Sequence, residues 1–450
     1  MDKKGTLLLL LIGFVGLMDC LDGTIVAVAL PTIASDMGVD VSTASWVSVA
    51  YFMMMAGTLI LFGRIAKNTS IRLVLLSGIA VFAISSLACG MSSSFMMLIV
   101  SRIAQGIGAA MMGATIPMCC VRFFPAHVLG YALAVVTIGY SVGAAIGPAL
   151  GGILVSSLSW HWIFYINVPI GIILILLLHI HLPEEERDEE KVKVDYLGAT
   201  TLFIAIVGLV FLFENLGDRM IMVASGVVFI TFITAFALHE IRADEPLLSL
   251  SIFRHSAYNL SILVYFLVNV VYMGLAYLLP FYMSVSLGFD STKTGLFLFI
   301  PALITMIVGM PIGRWSDRVG RKWFCVTSCL MLALAMVIFA FMDGLNMPLF
   351  VLALVCMGMM WAFAGGPMCS RVIECTVGES KEMGSTIGTV LFAAMFTALA
   401  GAGGVPIDML TKDVFMDGFT ITMLIGAAIS FVSGVFSLIV KDNAGSSEGQ

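Results

Sequence analysis

Charge is scarce in this chain. Of 450 residues only 22 are Lys or Arg and 28 are Asp or Glu, 11% in all, against about 25% in ordinary soluble domains. The formal net charge is −6, so there is no basic excess with which to hold a phosphate backbone, and no nucleic-acid partner is expected. No glycine-rich phosphate loop occurs, which leaves an ATP-driven pump without support. No Ser/His/Asp arrangement and no cluster at metal-ligand spacing is found. An intramembrane enzyme is therefore unsupported, and neither a metal nor an organic cofactor is expected. The nine Cys include the adjacent Cys119 and Cys120 but no CxxC pair. They read as small apolar packers rather than disulfides or metal ligands.

What the chain has in abundance is apolar sequence, 60% of its residues. Runs long enough to cross a hydrocarbon core of about 30 Å extend over Thr6–Leu30, Ala44–Phe62, Leu73–Met91, Phe95–Cys119, Leu129–Leu154, Trp162–Leu182 and Tyr196–Phe213. A second series covers Met220–Ala237, Leu260–Met283, Thr294–Ile312, Trp323–Met342, Met347–Pro367, Met383–Gly403 and Gly418–Val440. Fourteen membrane helices are expected. With the N-terminus placed inside, eighteen Lys and Arg fall in cytoplasmic loops and only Arg219, Lys293 and Lys412 outside. This asymmetry predicts that both termini are cytoplasmic in a multi-pass protein of the cell membrane. The opening MDKKGTLLLLLIGFVGLMDCLDG superficially resembles a secretory signal. Its apolar run continues to Leu30 without a small-residue cleavage site, so the first helix is expected to stay. The acidic stretch Glu184–Asp195 reads as a solvated cytoplasmic loop.

The chain repeats itself. Gly63-Arg64 follows the second run and Gly313-Arg314 the tenth, 250 residues apart. Leu30-Pro31 matches Leu279-Pro280 at an offset of 249, and Gly38 matches Gly288 at 250. Eight crossings separate the copies, and an even number makes the repeat parallel, an arrangement that places a substrate site between two halves near the midplane. The expected fold is an all-α polytopic membrane protein with two six-helix bundles in parallel pseudo-repeat and two extra helices between them. Its parts are an N-terminal bundle at 1–182, a charged loop at 183–195, inserted helices at 196–237, a C-terminal bundle at 238–440 and a short cytoplasmic tail at 441–450.

Two carboxylates interrupt the first run. A charge near the bilayer centre costs at least about 2.5–3.5 kcal/mol, so intramembrane acids tend to mark ion or substrate paths. Asp19 and Asp22 are three apart and share a helical face, with β-carbons about 5–6 Å apart. Two like charges that close cannot both ionise cheaply, so one of them is expected to hold a proton. Arg102 lies eight residues past Ser94 and Asp22 eight before Leu30, which puts each about 12 Å deep and permits a pair. In the fifth run Gly143, Gly147 and Gly151 recur every four residues and offer a flat side to another helix. Pro148 allows a kink there. In GRWSDRVGRK, Gly313 and Gly320 allow a tight turn, and Asp317 can form and break ion pairs with Arg314, Arg318 and Arg321. The 31 Met residues, with clusters at Met53–Met55 and Met359–Met360, would suit a promiscuous apolar site, though core or lipid packing accounts for them as well.

Jointly these stretches resemble the major facilitator superfamily, specifically its fourteen-span drug:proton antiporter branch. LDGTIVAVALP (Leu21–Pro31) resembles the first-helix motif, with Ala27-Val28 where an Asn is common; Asp19 lies outside that motif. SRIAQGIGAA (Ser101–Ala110) resembles the fourth-helix Arg motif. GYSVGAAIGPALGG (Gly139–Gly152) resembles the fifth-helix motif associated with antiporters, and WHWIFYINVPIG (Trp160–Gly171) resembles the start of helix six with His161 where Arg is usual. GRWSDRVGRK (Gly313–Lys322) resembles the cytoplasmic loop motif. The first-half copy GRIAKNTSIR departs from it, with Lys67 in place of Asp and Ser70 in place of Gly.

The resemblance implies that Arg102 takes part in proton coupling; the expectation drawn from it is that Arg102 holds Asp22 ionised until substrate or a conformational change separates them. It implies that Gly139, Gly143, Gly147, Pro148, Gly151 and Gly152 help seal the site during exchange, and that the Asp317 loop latches one state. The expected function is a secondary active exporter, not an enzyme, that draws on the proton gradient to move amphipathic or cationic drugs out of the cell. Its partners would be small-molecule substrates, protons and the lipid bilayer, and a complete pair of bundles is expected to suffice as a monomer. A metabolite exporter or an uptake symporter of the same fold is the open alternative. A membrane sensor would need an output domain, which the tail KDNAGSSEGQ does not supply.

Overall fold

The computed structural model describes residues 3–39, 41–125, 129–184, 194–214, 219–243, 256–289, 291–319, 322–342, 346–365 and 412–439. Among them there is no β-strand. An apolar run in lipid has no water to satisfy its peptide groups, and the helix pairs them within the segment. The helices are α1 (Lys3–Met37), α2 (Val41–Asn68), α3 (Ile71–Gly90), α4 (Phe95–Phe123), α5 (Leu129–Ser157), α6 (Trp162–Tyr165), α7 (Asn167–His181), α8 (Tyr196–Glu214) and α9 (Arg219–Arg242). They continue with α10 (Ser256–Phe281), α11 (Ser291–Val319), α12 (Lys322–Ala340), α13 (Met347–Gly365) and α14 (Lys412–Ile439). Eleven stretches among the described residues are long and apolar enough to cross a membrane, and two shorter ones, Tyr196–Leu212 and Lys293–Gly309, are apolar. The expected run Met383–Gly403 lies outside the described residues.

Most helices outrun the apolar stretch that announces them, because caps and not polarity end a helix. α1 continues past Leu30 to Met37 and stops where Gly38 takes φ +65°, a left-handed conformation open to glycine at little cost. Ser70, where the family has Gly, caps α3 by accepting from the Leu73 N–H at 3.2 Å. Ser94 does the same for α4 from Met97. The run Trp162–Leu182 is two helices, α6 and α7, that meet at Ile166. Gly313 is not in a turn: α11 is helical through it to Val319, so the cytoplasmic motif begins as the end of a helix. The side chains of Arg314, Asp317 and Arg318, and all of Gly320 and Arg321, lie outside what is described, as does the burial of Gly313.

The chain forms two compact units, Met1–Ser249 and Leu250–Gln450. In the first, α1 lies along α5, while α4 packs on both α2 and α3. The core beneath them includes Leu9, Ile12, Val15, Tyr51, Phe82, Met112 and Ile116. The hairpin of α8 and α9 belongs with this unit. α8 seats Phe203 on Gly57 of α2, brings Phe211 within 4.9 Å of Trp46, and adds Val210 to Val49 and Met53. α9 turns Val223, Val227, Ile230 and Ile241 outward, as a lipid-facing helix should. A pair between Asp195 and His239 at 2.8 Å ties the start of α8 to the end of α9.

In the second unit α12 packs on α13 and α14, and α11 on α13. Tyr282 stacks on Phe419 at 4.7 Å and meets Phe339 and Phe350. The repeat is visible in the backbone, since Gly288 has the same φ of +65° as Gly38. Between Pro280 and Gly288 the offset grows from 249 to 250, and residues Tyr282–Ser286 form a π-helical turn. A π turn absorbs one extra residue without ending its helix. The corresponding part of α1 is plain α-helix.

Candidate functional site

The charged centre is assembled by α4, which presents two different faces. Gly106 makes one of them small and Gly108 the other: a β-carbon on Gly106 would stand 2.5 Å from the Tyr51 carbonyl oxygen of α2, and one on Gly108 would stand 2.7 Å from the Phe82 nitrogen of α3. These approaches bring α2 and α3 close on either side of Arg102 and Gln105, which sit three apart and side by side. Both are fully buried.

Arg102 reaches α1 and α2. Its Nη1 donates to Oδ2 of Asp22 at 2.6 Å and to Oε1 of Gln105 at 2.8 Å, and its Nε donates to the Val47 carbonyl at 2.8 Å. The guanidinium lies over the Tyr51 ring, 4.2 Å from its centroid, with the Phe164 ring at 5.7 Å, an attraction that strengthens when water is excluded. Nη2 has no hydrogen-bond partner among the described residues. Sequence depth permits the Asp22–Arg102 pair, and the structure forms it at 2.6 Å.

Asp22 is fully buried and accepts from three side chains on two other helices. Besides Arg102, Gln105 Nε2 donates to Oδ1 at 2.9 Å and Asn167 Nδ2 donates to the same oxygen at 2.7 Å. Gln105 Nε2 also donates to Ser86 Oγ at 2.8 Å, which carries the network into α3. A buried ion pair persists only where further hydrogen bonds satisfy its remaining atoms, and Gln105 and Asn167 supply them. Neither stands out as a candidate from its sequence alone. Gln105 sits one turn from Arg102 in SRIAQGIGAA, and Asn167 is the single amide side chain in IFYINVPIG; a polar amide inside an apolar run is the signal that could have found them. Asp19 is nearly buried and accepts from the Tyr51 hydroxyl at 2.9 Å. Tyr51 gives no such signal, since an aromatic in an apolar helix is ordinarily packing.

The glycines of α5 set the position of this acid-bearing helix. Gly139, Gly143, Gly147 and Gly151 are all buried and face α1 in order. A β-carbon on Gly139 would overlap the Gly13 carbonyl, one on Gly143 the Leu17 carbonyl, and one on Gly147 the Thr24 hydroxyl. On Gly151 it would stand 2.9 Å from the Ile25 carbonyl oxygen. Gly152 does not share in this contact, because a β-carbon there would meet nothing within 4 Å. α5 stays a continuous helix through Pro148. At the Met37 end of α1, Trp160 donates from Nε1 to Asp36 at 2.8 Å and stacks on His161 at 3.7 Å. Burial holds the His161 imidazole below its ordinary range, partly opposed by the Asp36 carboxylate. No group of three or more His, Cys, Asp or Glu able to hold a metal ion occurs among the described residues.

This arrangement has relatives. Residues 12–404 match the family model described as Major Facilitator Superfamily. Multidrug resistance protein 3 of Bacillus subtilis (strain 168) is 31% identical over 320 residues, 69% of this chain and 61% of that protein. Multidrug export protein EmrB of Escherichia coli (strain K12) is 30% identical over 325 residues, 70% of this chain and 63% of that protein. The matched chain thus spans less than two thirds of either relative's length. Riboflavin transporter RibZ of Clostridioides difficile (strain 630) is 27% identical over 88% of this chain and 89% of its own. The crystal structure of the human organic anion transporter MFSD10 superposes with a TM-score of 0.66 at 18% identity, covering 97% of this chain and all of that one, which is a likeness of fold.

Proposed function

The chain belongs to the Major Facilitator Superfamily of membrane transporters, and on that premise we propose that it is a proton-coupled antiporter that exports amphipathic or cationic compounds by alternating access. The observation that carries the reading is the fully buried Asp22–Arg102 pair with Asp19 beside it, two acids against one base inside a membrane-spanning bundle. With both acids ionised, the group has a net charge of −1 and favours a cation. With one proton bound it is neutral, so proton and cation compete for the same charge, as an exchanger requires. The protonmotive gradient is the energy source, and no cofactor enters the cycle.

In the same proposal both termini are cytoplasmic, the monomer in its bilayer is the working unit, and the α5 glycines let α1 tilt without opening a leak. The motif from Gly313 to Arg321 gates the inner face. The kinship with one protein named for multidrug resistance and one named for multidrug export supports drugs as substrates. A second reading, export of a metabolite, has its own support in the near full-length match to a protein named as a riboflavin transporter.

The test uses purified protein in liposomes that enclose a pH dye, under an imposed pH gradient, with lipophilic cations and neutral drugs added in turn. A compound that dissipates the gradient in the parent but not in Asp22→Asn or Arg102→Ala is the expected outcome. If no cation or drug moves protons and riboflavin does, the metabolite reading replaces the drug reading. Unchanged coupling in Arg102→Ala removes the ion pair from the mechanism.

A further inference from the structure

We propose that Asp19, and not Asp22, is the carboxylate that takes up and gives back the proton, with the Tyr51 hydroxyl as the partner that serves both of its charge states. This rests on the proton-coupled reading above and assigns within it what the two-acid pattern leaves open.

The two acids differ in what faces them. Every hydrogen bond seen at Asp22 comes from a group with only N–H to offer there: Arg102 Nη1 on Oδ2, and the amide nitrogens of Gln105 and Asn167 on Oδ1. Nitrogen donors of this kind favour the ionised carboxylate. A proton on either oxygen would point an O–H at N–H groups and take from Arg102 the charge of the one carboxylate it is seen to bond, a cost of several kcal/mol. Gln105 cannot readily turn its amide over to help. Its Oε1 already accepts from Arg102 and its Nε2 also serves Ser86, so Asp22 is locked in one charge state by a network that includes three helices besides its own.

Asp19 faces a group of another kind. A phenol hydroxyl both donates and accepts. Tyr51 donates to Oδ1 of ionised Asp19 at 2.9 Å, and by rotating its O–H it accepts from the neutral acid with the ring unmoved. The ring stays under Arg102, 4.2 Å from its centroid. Among the described residues, the titratable and charged groups gathered around Tyr51 with Asp19 include Asp22 on α1 and Arg102 on α4. From α5 the Tyr140 ring lies against Gly16, one turn along α1, and α7 presents the neutral Asn167. Uptake of one proton converts the Asp19 carboxylate to the acid. The proton comes from water on the side to which the site is open and returns to water on the other side. The net charge of the Asp19, Asp22 and Arg102 group goes from −1 to 0 without breaking the ion pair. A monovalent organic cation is the class of ligand that would take the proton's place.

A ligand-free measurement decides this. Parent, Asp19→Asn, Asp22→Asn, Asp19→Glu and Tyr51→Phe proteins in liposomes are stepped in pH, and infrared difference spectra are taken in the C=O stretch of a protonated carboxylic acid. A titrating band from the membrane interior in the parent should be lost in Asp19→Asn, kept in Asp22→Asn, displaced in Asp19→Glu and shifted in its pH midpoint in Tyr51→Phe. A purely structural Tyr51 would leave that midpoint in place. Loss in Asp22→Asn with retention in Asp19→Asn, or a band unchanged in both, overturns the assignment. The liposome flux assay separates the two readings. A parent that moves no protons with any compound removes antiport and leaves the band assignment standing, whereas full substrate-driven proton flux in Asp19→Asn removes Asp19 and leaves antiport standing.

Discussion

Replacing Arg102 by Met tests whether the buried pair is held together by charge. Met keeps the length of the stem but removes the bonds from Nη1 to Asp22 at 2.6 Å and to Gln105 at 2.8 Å, the bond from Nε to the Val47 carbonyl at 2.8 Å, and the contact with the Tyr51 ring. Asp22 then keeps only two neutral amide donors in a site with no exposure to solvent. Breaking a buried pair in this way costs about 3–5 kcal/mol, or roughly two to three and a half powers of ten in an equilibrium constant. Asp22→Asn alone takes from Arg102 the carboxylate it bonds at 2.6 Å, with Asp19 still nearby, and should cost no more than that. The double variant removes both members of the pair and should recover about 1–3 kcal/mol of the summed losses, the usual coupling between residues in contact. Unfolding of the four proteins, followed by thermal denaturation in lipid nanodiscs, closes the cycle. Losses that add within about 0.5 kcal/mol would refute the reasoning, as would an Arg102→Met protein as stable as the parent.

Other expectations follow from the same geometry. Gly143→Val pushes into the Leu17 carbonyl and should lower stability by about 1–3 kcal/mol or more with loss of transport. Gly152→Ala, with nothing within 4 Å of the new carbon, should match the parent in both assays. Asn167→Leu withdraws one donor from Asp22 Oδ1 and should cost about 1–3 kcal/mol, read as a fall in the denaturation midpoint. Arg102→Lys keeps the charge but cannot supply both the Nη1 and Nε bonds, so it should behave more like Met than like the parent in the flux assay. His161, held below its ordinary range chiefly by burial, binds its proton less readily folded than unfolded. Its contribution is therefore complete above the unfolded value and is lost as the pH falls from there through the folded one. His161→Phe should flatten the fall in denaturation midpoint over that acid window, and Asp36→Asn should steepen it.

Sequence reading reached the membrane helices, the parallel repeat and the Asp22–Arg102 contact, because each follows from long-range regularities: run length, a fixed offset, a matched depth. It placed helix ends poorly. α1 and α11 extend seven residues past Leu30 and Ile312, since an apolar run marks hydrocarbon and the helix itself stops at a cap. It read Gly313 as a turn residue where the chain is helical, and it counted Gly152 in a stripe to which only the residues at four-fold spacing belong. The partners of the acids were harder. Gln105, Asn167 and Tyr51 come from three helices, and which side chain meets Asp19 or Asp22 depends on helix rotation, which hydrophobic periodicity cannot fix in a segment that is apolar on all sides.

The π turn at Tyr282–Ser286 decides which residues of the two halves are true counterparts. Upstream of it the two copies differ by 249, so the positions matching Asp19 and Asp22 are Val268 and Val271, since 268 − 19 and 271 − 22 both equal 249. Counting by 250 would have chosen Asn269 and Tyr272 and suggested a second polar centre. Val268 and Val271 are instead buried in the apolar core of their unit. At this level the repeat does not extend to charge: one half has a pair of acids, and the other has buried valines at the same two positions.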